Sequence, residues 1–329
     1  MFSLTVIFLI VFLGLCFDYV NGFHDTANAI ATSVSTKALS PRAAIGVAAT
    51  FNFLGALSGT AVAATIGKNI VFPHAVTPEV IICALIAAIF WNLFTWYCGI
   101  PSSSSHALIG GLVGAVIAAF GTSMVKWKGF ITIFTGLIAS PIISMILGSL
   151  VMTILFWLFK GASPARTNRE FRKLQMLSAC MASFAHGSND AQKSMGIITL
   201  ALFSGGLISA FTVPLWVKIA CAAAMCAGTA SGGWKIIKTM GGKIFRIEPI
   251  NGFAADFTSS VVIYCGTLFG APISTTHVVS SAIMGVGAAK RLKGVRWNIA
   301  KQIIIAWFIT IPSAALVATI AYKIIQLFL

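Results

Sequence analysis

The chain has 329 residues, of which 58% are hydrophobic and only 9% are charged. So few charged side chains could not cover the surface of a water-soluble protein, so the composition excludes a soluble globular protein and predicts a polytopic, all-α membrane protein. The net charge of +15 does not require nucleic acid, because membrane proteins concentrate Lys and Arg in cytoplasmic loops. We expect membrane lipids, and no nucleic acid, among its partners.

The first half of the chain has polar residues at two places within apolar sequence. The apolar segment 2–15 lacks a preceding basic residue and leads directly into a polar motif, residues 21–29 (NGFHDTANA). We therefore interpret it as the first membrane helix rather than a signal peptide. A later apolar span ends at residues 99–106 (GIPSSSSH), where Pro101 cannot continue a helical hydrogen-bond ladder.

Both elements occur again in the second half of the chain. Residues 185–193 (AHGSNDAQK) match the first motif, and residues 270–277 (GAPISTTH) match the Ser/His element. Two degenerate halves, each with a polar break inside apolar sequence, are typical of secondary transporters whose site lies where the halves meet. We predict repeats at 1–160 and 176–329, joined by a basic linker, 161–175.

The charges of matched loops indicate how the repeats are oriented. The loop with Lys37 and Arg42 is basic, whereas its counterpart, residues 204–214, has no charge. In the next pair the difference is reversed: residues 67–78 hold one lysine, and the matching segment holds Lys235, Lys238, Lys243 and Arg246. This alternation predicts inverted repeats with half-helix hairpins and ten to twelve transmembrane segments in all. It also predicts a cytoplasmic linker and outward-facing termini.

The Ser/His elements have the chemistry of an anion site. The hydroxyls of residues 103–105 and 274–276 can cap helices that start near Ala107 and Val278. A helix N-terminus inside the membrane presents free N–H groups and the positive end of the helix dipole, so each element could hold an oxyanion. A serine-rich cap in ordinary packing is the alternative, but two copies at matched positions favour binding.

The acidic residues suggest a cation or proton site. Asp25 and Asp190 fall inside apolar sequence, where a carboxylate is costly unless it pairs or binds a cation. Neither has an obvious Arg partner nearby in the sequence, which favours a bound cation or a proton over a structural aspartate. Lys193, which aligns with Asn28, could contact the anion, occupy the space of a cation, or extend to the interface. His24 could relay protons.

The two acidic motifs and the two Ser/His elements resemble those of the inorganic phosphate transporters of the Pit type. The resemblance covers essentially the whole chain. It implies phosphate import by cation symport in the cytoplasmic (inner) membrane, with alternating access at a midplane site, no cofactor and a homodimer. The phosphate ligands it implies are Ser103, Ser104, Ser105, Ser274, Thr275 and Thr276. The cation ligands it implies are Asp25, Asn28, Asn189 and Asp190.

The chain departs from the family pattern at three positions. His24 and Lys193 each replace an Asn, and Asn52 stands where many sodium-coupled relatives carry Glu. These departures resemble the bacterial low-affinity branch, which takes phosphate, or a neutral metal–phosphate complex, with protons. We therefore favour protons over sodium and expect no resident metal. Our hypothesis is that the Lys193 ammonium stands in for one bound cation and can also contact phosphate.

Three alternatives to phosphate symport differ in substrate or class. Sulfate is another tetrahedral dianion, although the protonatable Asp25 and Asp190 suit phosphate better. A passive anion channel could use the same half-helices but would not need paired intramembrane acids. An intramembrane hydrolase is disfavoured because Ser105 and His106 are neighbours on one helix and point in different directions. We therefore expect no catalytic residues and no enzyme.

Overall fold

The computed structural model describes residues 2–232 and 234–328, and its regular structure in those ranges is helical. The helices of the first half are α1 Leu4–Ser35, α2 Pro41–Leu57, α3 Ala61–Asn69, α4 Pro78–Cys98, α5 Ser104–Phe120 and α6 Trp127–Leu158. Those of the second half are α7 Pro164–Ser204, α8 Leu215–Ser231, α9 Trp234–Lys238, α10 Pro249–Leu268, α11 Thr275–Lys290 and α12 Trp297–Gln326. A π-helical turn, Thr239–Lys243, extends α9. The second six helices therefore repeat the order of the first six.

The predicted all-α membrane fold is confirmed. Among the described residues, four helices are long and apolar enough to cross a membrane, and six spans result if each of two bent pairs counts as one. The bends are 65° between α2 and α3 and 68° between α8 and the segment Ile236–Lys243. The number of ten to twelve transmembrane segments stays a prediction, because α7 and α10 carry many buried polar side chains and are not among those spans.

The two halves run in opposite directions. The start of α1 lies beside the end of α7, where a Cβ at Gly205 would lie 3.1 Å from the Phe2 ring. The end of α1 lies beside the beginning of α7, where the Thr36 hydroxyl donates to Gln175 Oε1 at 2.6 Å. The matched helices α1 and α7 are thus antiparallel, as inverted repeats require. We call the end of the molecule at which α1 ends and α7 begins the linker end.

The Ser/His elements form two hairpin tips that meet. Ser103 accepts a hydrogen bond from the first turn of α5 and Ser274 from that of α11, so both predicted caps are present. The helices begin at the next residue, three residues earlier than expected, because the first hydroxyl of each run serves as the cap. Across the tips, Ser105 Oγ donates to the Ile273 carbonyl at 2.9 Å.

The expected polar breaks beside Asp25 and Asp190 are wrong, since α1 and α7 continue through both motifs. The motif glycines serve close packing instead of a break. A Cβ at Gly22 would overlap the Met225 carbonyl of α8, and a Cβ at Gly187 would overlap the Asn52 carbonyl of α2. Each motif helix therefore packs against the bent helix pair of the other half.

The segment predicted as a linker, 161–175, is mostly helical. Ser163 caps α7 and Pro164 occupies its first turn, so residues 164–175 are the beginning of that helix. Only residues 159–163 separate α6 from α7. The repeat boundaries at 160 and 176 stay a prediction.

Candidate functional site

Asp25 of α1 and Asp190 of α7 lie together where the two halves meet. Both are buried, and the hydroxyl of Ser104, the first residue of α5, lies between them. Ser104 Oγ is 3.1 Å from Asp25 Oδ2 and 3.5 Å from Asp190 Oδ2. The structure thus brings the acidic motifs and the Ser/His elements into one cluster.

The second hairpin tip completes this cluster. Thr276 Oγ1 donates to Asp25 Oδ1 at 3.0 Å, and Thr275 Oγ1 donates to Asp190 Oδ2 at 3.3 Å. The Asn28 amide donates to Thr276 Oγ1 at 2.9 Å. Hydroxyls from both half-helices are therefore directed at the two carboxylates.

Lys193 is an integral part of the cluster. Its ammonium lies 2.8 Å from Asp190 Oδ1 and donates to Ser104 Oγ at 3.1 Å, and its side chain is buried. The possibility that it extends to the interface is therefore excluded. Asp190 thus has a basic partner three residues away on the same continuous helix, a lysine rather than an arginine.

His24 contacts the other carboxylate. Its Nδ1 lies 2.8 Å from Asp25 Oδ1, and its Nε2 lies 3.2 Å from Thr95 Oγ1 and 3.4 Å from Ser102 Oγ. Thr95 and Ser102 are themselves 2.7 Å apart. The imidazole is therefore held between Asp25 and the first hairpin, the one formed by α4 and α5. Of the three residues it contacts, Asp25 is the acidic one.

Sequence reasoning missed His186. Its Nε2 lies 3.5 Å from Asp190 Oδ2, and its Nδ1 lies 3.1 Å from Asn52 Oδ1. The Asn52 amide in turn donates to Thr229 at 3.0 Å. His186 therefore connects Asn52 with Asp190. The signal was the spacing of four residues between His186 and Asp190, which places both on one helix face.

Other predicted ligands face away from the carboxylates. Ser103 and Ser274 accept hydrogen bonds from their own helices, and Ser105 donates to a backbone carbonyl. The Asn189 amide donates to Thr267 Oγ1 at 2.9 Å and to the Ala271 carbonyl at 3.2 Å. Roles for these four residues in binding phosphate or cations stay predictions.

The cluster includes groups that can hold a cation. One ligand atom from each of Asp25, His186 and Asp190 lies within 4.8 Å of the other two. Two carboxylates and an imidazole suit a divalent transition metal. The side-chain oxygens of Asn21 and Asn28 are buried nearby without a hydrogen-bond partner, and such oxygens suit a hard cation.

Gln192 connects the site helix to the bend between α2 and α3. Its Oε1 accepts from the Val62 and Ala63 backbone N–H groups at 2.8 and 3.3 Å, and its amide donates to the Ser188 carbonyl at 2.7 Å. The N-cap residue of α3, Thr60, provides no side-chain hydrogen bond. A buried side chain of α7 therefore caps α3.

The sequence and the fold were compared with those of known proteins. Residues 21–318 match the model of the Phosphate transporter family. A probable low-affinity inorganic phosphate transporter of Bacillus subtilis (strain 168) is 54% identical over 98% of both chains. A protein of the same description from Rhizobium meliloti (strain 1021) is 48% identical over 95% of this chain and 94% of its own. A solved sodium-dependent phosphate transporter superimposes with a TM-score of 0.89 at 26% identity, covering 99% of this chain and 100% of that one. The chain belongs to the phosphate transporter family.

Proposed function

We propose that the chain imports inorganic phosphate by cation symport, with protons rather than sodium as the coupling ion, and with alternating access at the cluster around Asp25 and Asp190. The observation that carries this proposal is the direction of the hydroxyls of Ser104, Thr275 and Thr276, which all donate to carboxylates. The same donors, at the N-termini of two half-helices, are suited to phosphate oxygens.

This arrangement provides a reason for coupling. While a carboxylate is charged and bare, it competes with phosphate for the hydroxyl hydrogens. A proton or cation on Asp25 or Asp190 frees those donors and also offsets the charge of the incoming anion. Each ligand therefore raises the affinity for the other, as a symporter requires.

Lys193 is the reason for favouring protons. It places an ammonium 2.8 Å from Asp190, whereas the matched residue of the other half is Asn28, an amide. We infer that this ammonium takes the place of one coupling cation. His24 and His186 adjoin the two carboxylates, and imidazole is the side chain best suited to proton exchange in the physiological range.

A second candidate substrate is a neutral metal–phosphate complex. The observation that favours it is the group Asp25, His186 and Asp190, which offers three metal-binding atoms within 4.8 Å of one another. The metal would then be cargo that travels with phosphate, and no resident metal is implied. Uptake that requires a divalent metal ion, with metal and phosphate accumulating together, would support this candidate over free phosphate.

We further propose that the linker end faces the cytoplasm and that the chain forms a homodimer in the inner membrane, with both termini outside. Lys37, Arg172, Arg246 and Arg296 line one cavity at the linker end. A cavity at the opposite end has only two basic residues, Lys68 and Lys126. The positive-inside rule assigns the more basic end to the cytoplasm.

The test is uptake of radiolabelled phosphate into proteoliposomes under an imposed pH gradient, a sodium gradient, or neither. We expect accumulation with the pH gradient alone, and its loss in Asp25→Asn but not in Glu170→Gln, an acid exposed at the surface. Accumulation driven only by sodium would contradict proton coupling. Stronger uptake of sulfate than of phosphate would contradict the substrate, and uptake that persists without any gradient would indicate a channel.

A further inference from the structure

A cavity of about 520 Å³ at the linker end collects positive charge from four separate segments. Lys37 follows α1, Arg172 belongs to α7, Arg246 precedes α10 and Arg296 precedes α12. Their side chains line the same concavity. Basic residues that only satisfied the positive-inside rule would not need to converge in this way, so the convergence itself needs an explanation.

The positive charge of this cavity is not neutralised by the protein. Among the described residues that line the cavity, Glu248 is the acidic one. The Glu248 carboxylate lies 2.6 Å from Lys290 Nζ. The same carboxylate also accepts from the backbone at the start of α10. In the described part of the chain, no ion pair involves any of the four basic residues. Like charges confined to a cleft focus a field that attracts an anion.

The backbone at the end of α1 places Lys37 at the cavity. Lys37 has a φ of +58° because it follows the C-cap of α1 in a Schellman motif, in which its N–H donates to the Val34 carbonyl and the Ala38 N–H donates to the Ser33 carbonyl. The start of α12 lies in the wall, and its N-cap residue, Arg296, provides no side-chain cap. One neutral donor, the amide of Asn168, also lines the cavity, whereas the Ser35 hydroxyl donates to the Gly241 carbonyl.

A buried polar network leads from this cavity toward the carboxylates. Thr36 lines the cavity and donates to Gln175 at 2.6 Å. Further inside, Thr32 and Ser178 donate to the Asp256 carboxylate at 2.6 and 3.3 Å.

The matched positions of the opposite half are apolar. Ile10 corresponds to Gln175 and Leu85 corresponds to Asp256, and both belong to the hydrophobic core. The polar connection is therefore specific to the linker end.

We propose that this cavity is a second binding site for a phosphoryl group, separate from the cluster around Asp25 and Asp190. Arginine forks match phosphate oxygens, and basic pockets between membrane helices at the cytoplasmic side bind lipid head groups. The phosphoryl group comes either from free phosphate or from an acidic phospholipid.

The first arm of the test measures phosphate binding to the purified full-length protein in detergent with phosphatidylcholine only. Ser104→Ala reduces binding at the central cluster, so the second site is measured in that background. If free phosphate is the ligand, binding persists, weakens with added salt, and falls at least tenfold when R246Q and R296Q are added. The matched control, K128Q with K323Q, removes two exposed charges at the opposite end and leaves binding unchanged.

The second arm measures thermal stability in phosphatidylcholine nanodiscs with increasing phosphatidylglycerol. Stabilisation by phosphatidylglycerol that R246Q/R296Q abolishes, without phosphate binding in the first arm, assigns the site to a lipid head group. If R246Q/R296Q behaves like K128Q/K323Q in both arms, the proposal is wrong. Phosphate uptake by the wild type would be unaffected by that result, so the proposed transport function is tested separately.

Discussion

Replacing Lys193 with Asn tests whether its ammonium substitutes for a bound cation. The ammonium lies 2.8 Å from Asp190 Oδ1, and both side chains are buried. Removing one partner of a buried ion pair leaves an uncompensated charge, which costs about 3–5 kcal/mol. Asn28 shows that an amide fits at the matched position, where it donates to Thr276. Lys193 is also among the largest fully buried side chains, so Lys193→Asn loses packing as well, and a variant that removes both charges is needed to separate that loss from the cost of the bare carboxylate.

Sodium should recover part of that free energy in the variant. A cation that binds only the folded protein adds about 2.7 kcal/mol when its concentration is one hundred times its Kd. We therefore expect Lys193→Asn to have a lower free energy of unfolding than the wild type in choline chloride, and to regain about half of the loss in sodium chloride. Denaturant unfolding in detergent micelles at equal ionic strength measures both values, and uptake under a sodium gradient should appear in parallel.

The double variant Asp190→Asn/Lys193→Asn is the control, because it removes both charges of the pair. It should be more stable in choline chloride than Lys193→Asn alone and indifferent to sodium. The reasoning is refuted if Lys193→Asn shows no sodium-dependent change in either stability or uptake. It is also refuted if the single variant is as stable as the wild type in choline chloride, since the ammonium would then balance no buried charge.

Three further predictions concern residues around the site. Gln192→Ala removes the cap of α3 and should lower the free energy of unfolding by about 1 kcal/mol and reduce phosphate uptake. Gln192→Glu keeps the hydrogen-bond acceptor and should retain most uptake. Equal loss of uptake in both variants would argue against capping. Gly187→Ala should prevent folding, scored by monodisperse yield, because its Cβ meets the Asn52 carbonyl, while Gly136→Ala has open space and should be neutral. Thr276→Val should weaken phosphate binding and Thr276→Ser should preserve it, as judged from KM for uptake; similar KM values would remove Thr276 from the phosphate site.

The features that the sequence predicted correctly depend on local chemistry or on the repeat. Ser103 and Ser274 cap half-helices because a hydroxyl before an apolar helix satisfies its first N–H groups wherever the helix lies. The motifs around Gly22 and Gly187 were wrongly predicted to break their helices, because glycine occurs both at helix breaks and where two helices approach closely. Only the positions of α2 and α8 against Gly187 and Gly22 distinguish these roles.

That error concealed His186 as a partner of Asp190. On a continuous helix, His186 is four residues before Asp190 and lies on the same face, so their contact would have been expected. Assuming a break removed that periodicity. The hydroxyl of Ser104 between the two aspartates had no sequence signal, because it depends on how the hairpin of one half enters the other.

The reciprocal packing of the motif helices has a consequence for biosynthesis. Gly22 is covered by the backbone around Met225, so the environment of Asp25 is incomplete until some two hundred further residues have been made. During translation, α1 must therefore reside in the membrane with an acidic side chain before its permanent neighbour exists. Neither half can therefore assemble its part of the site alone.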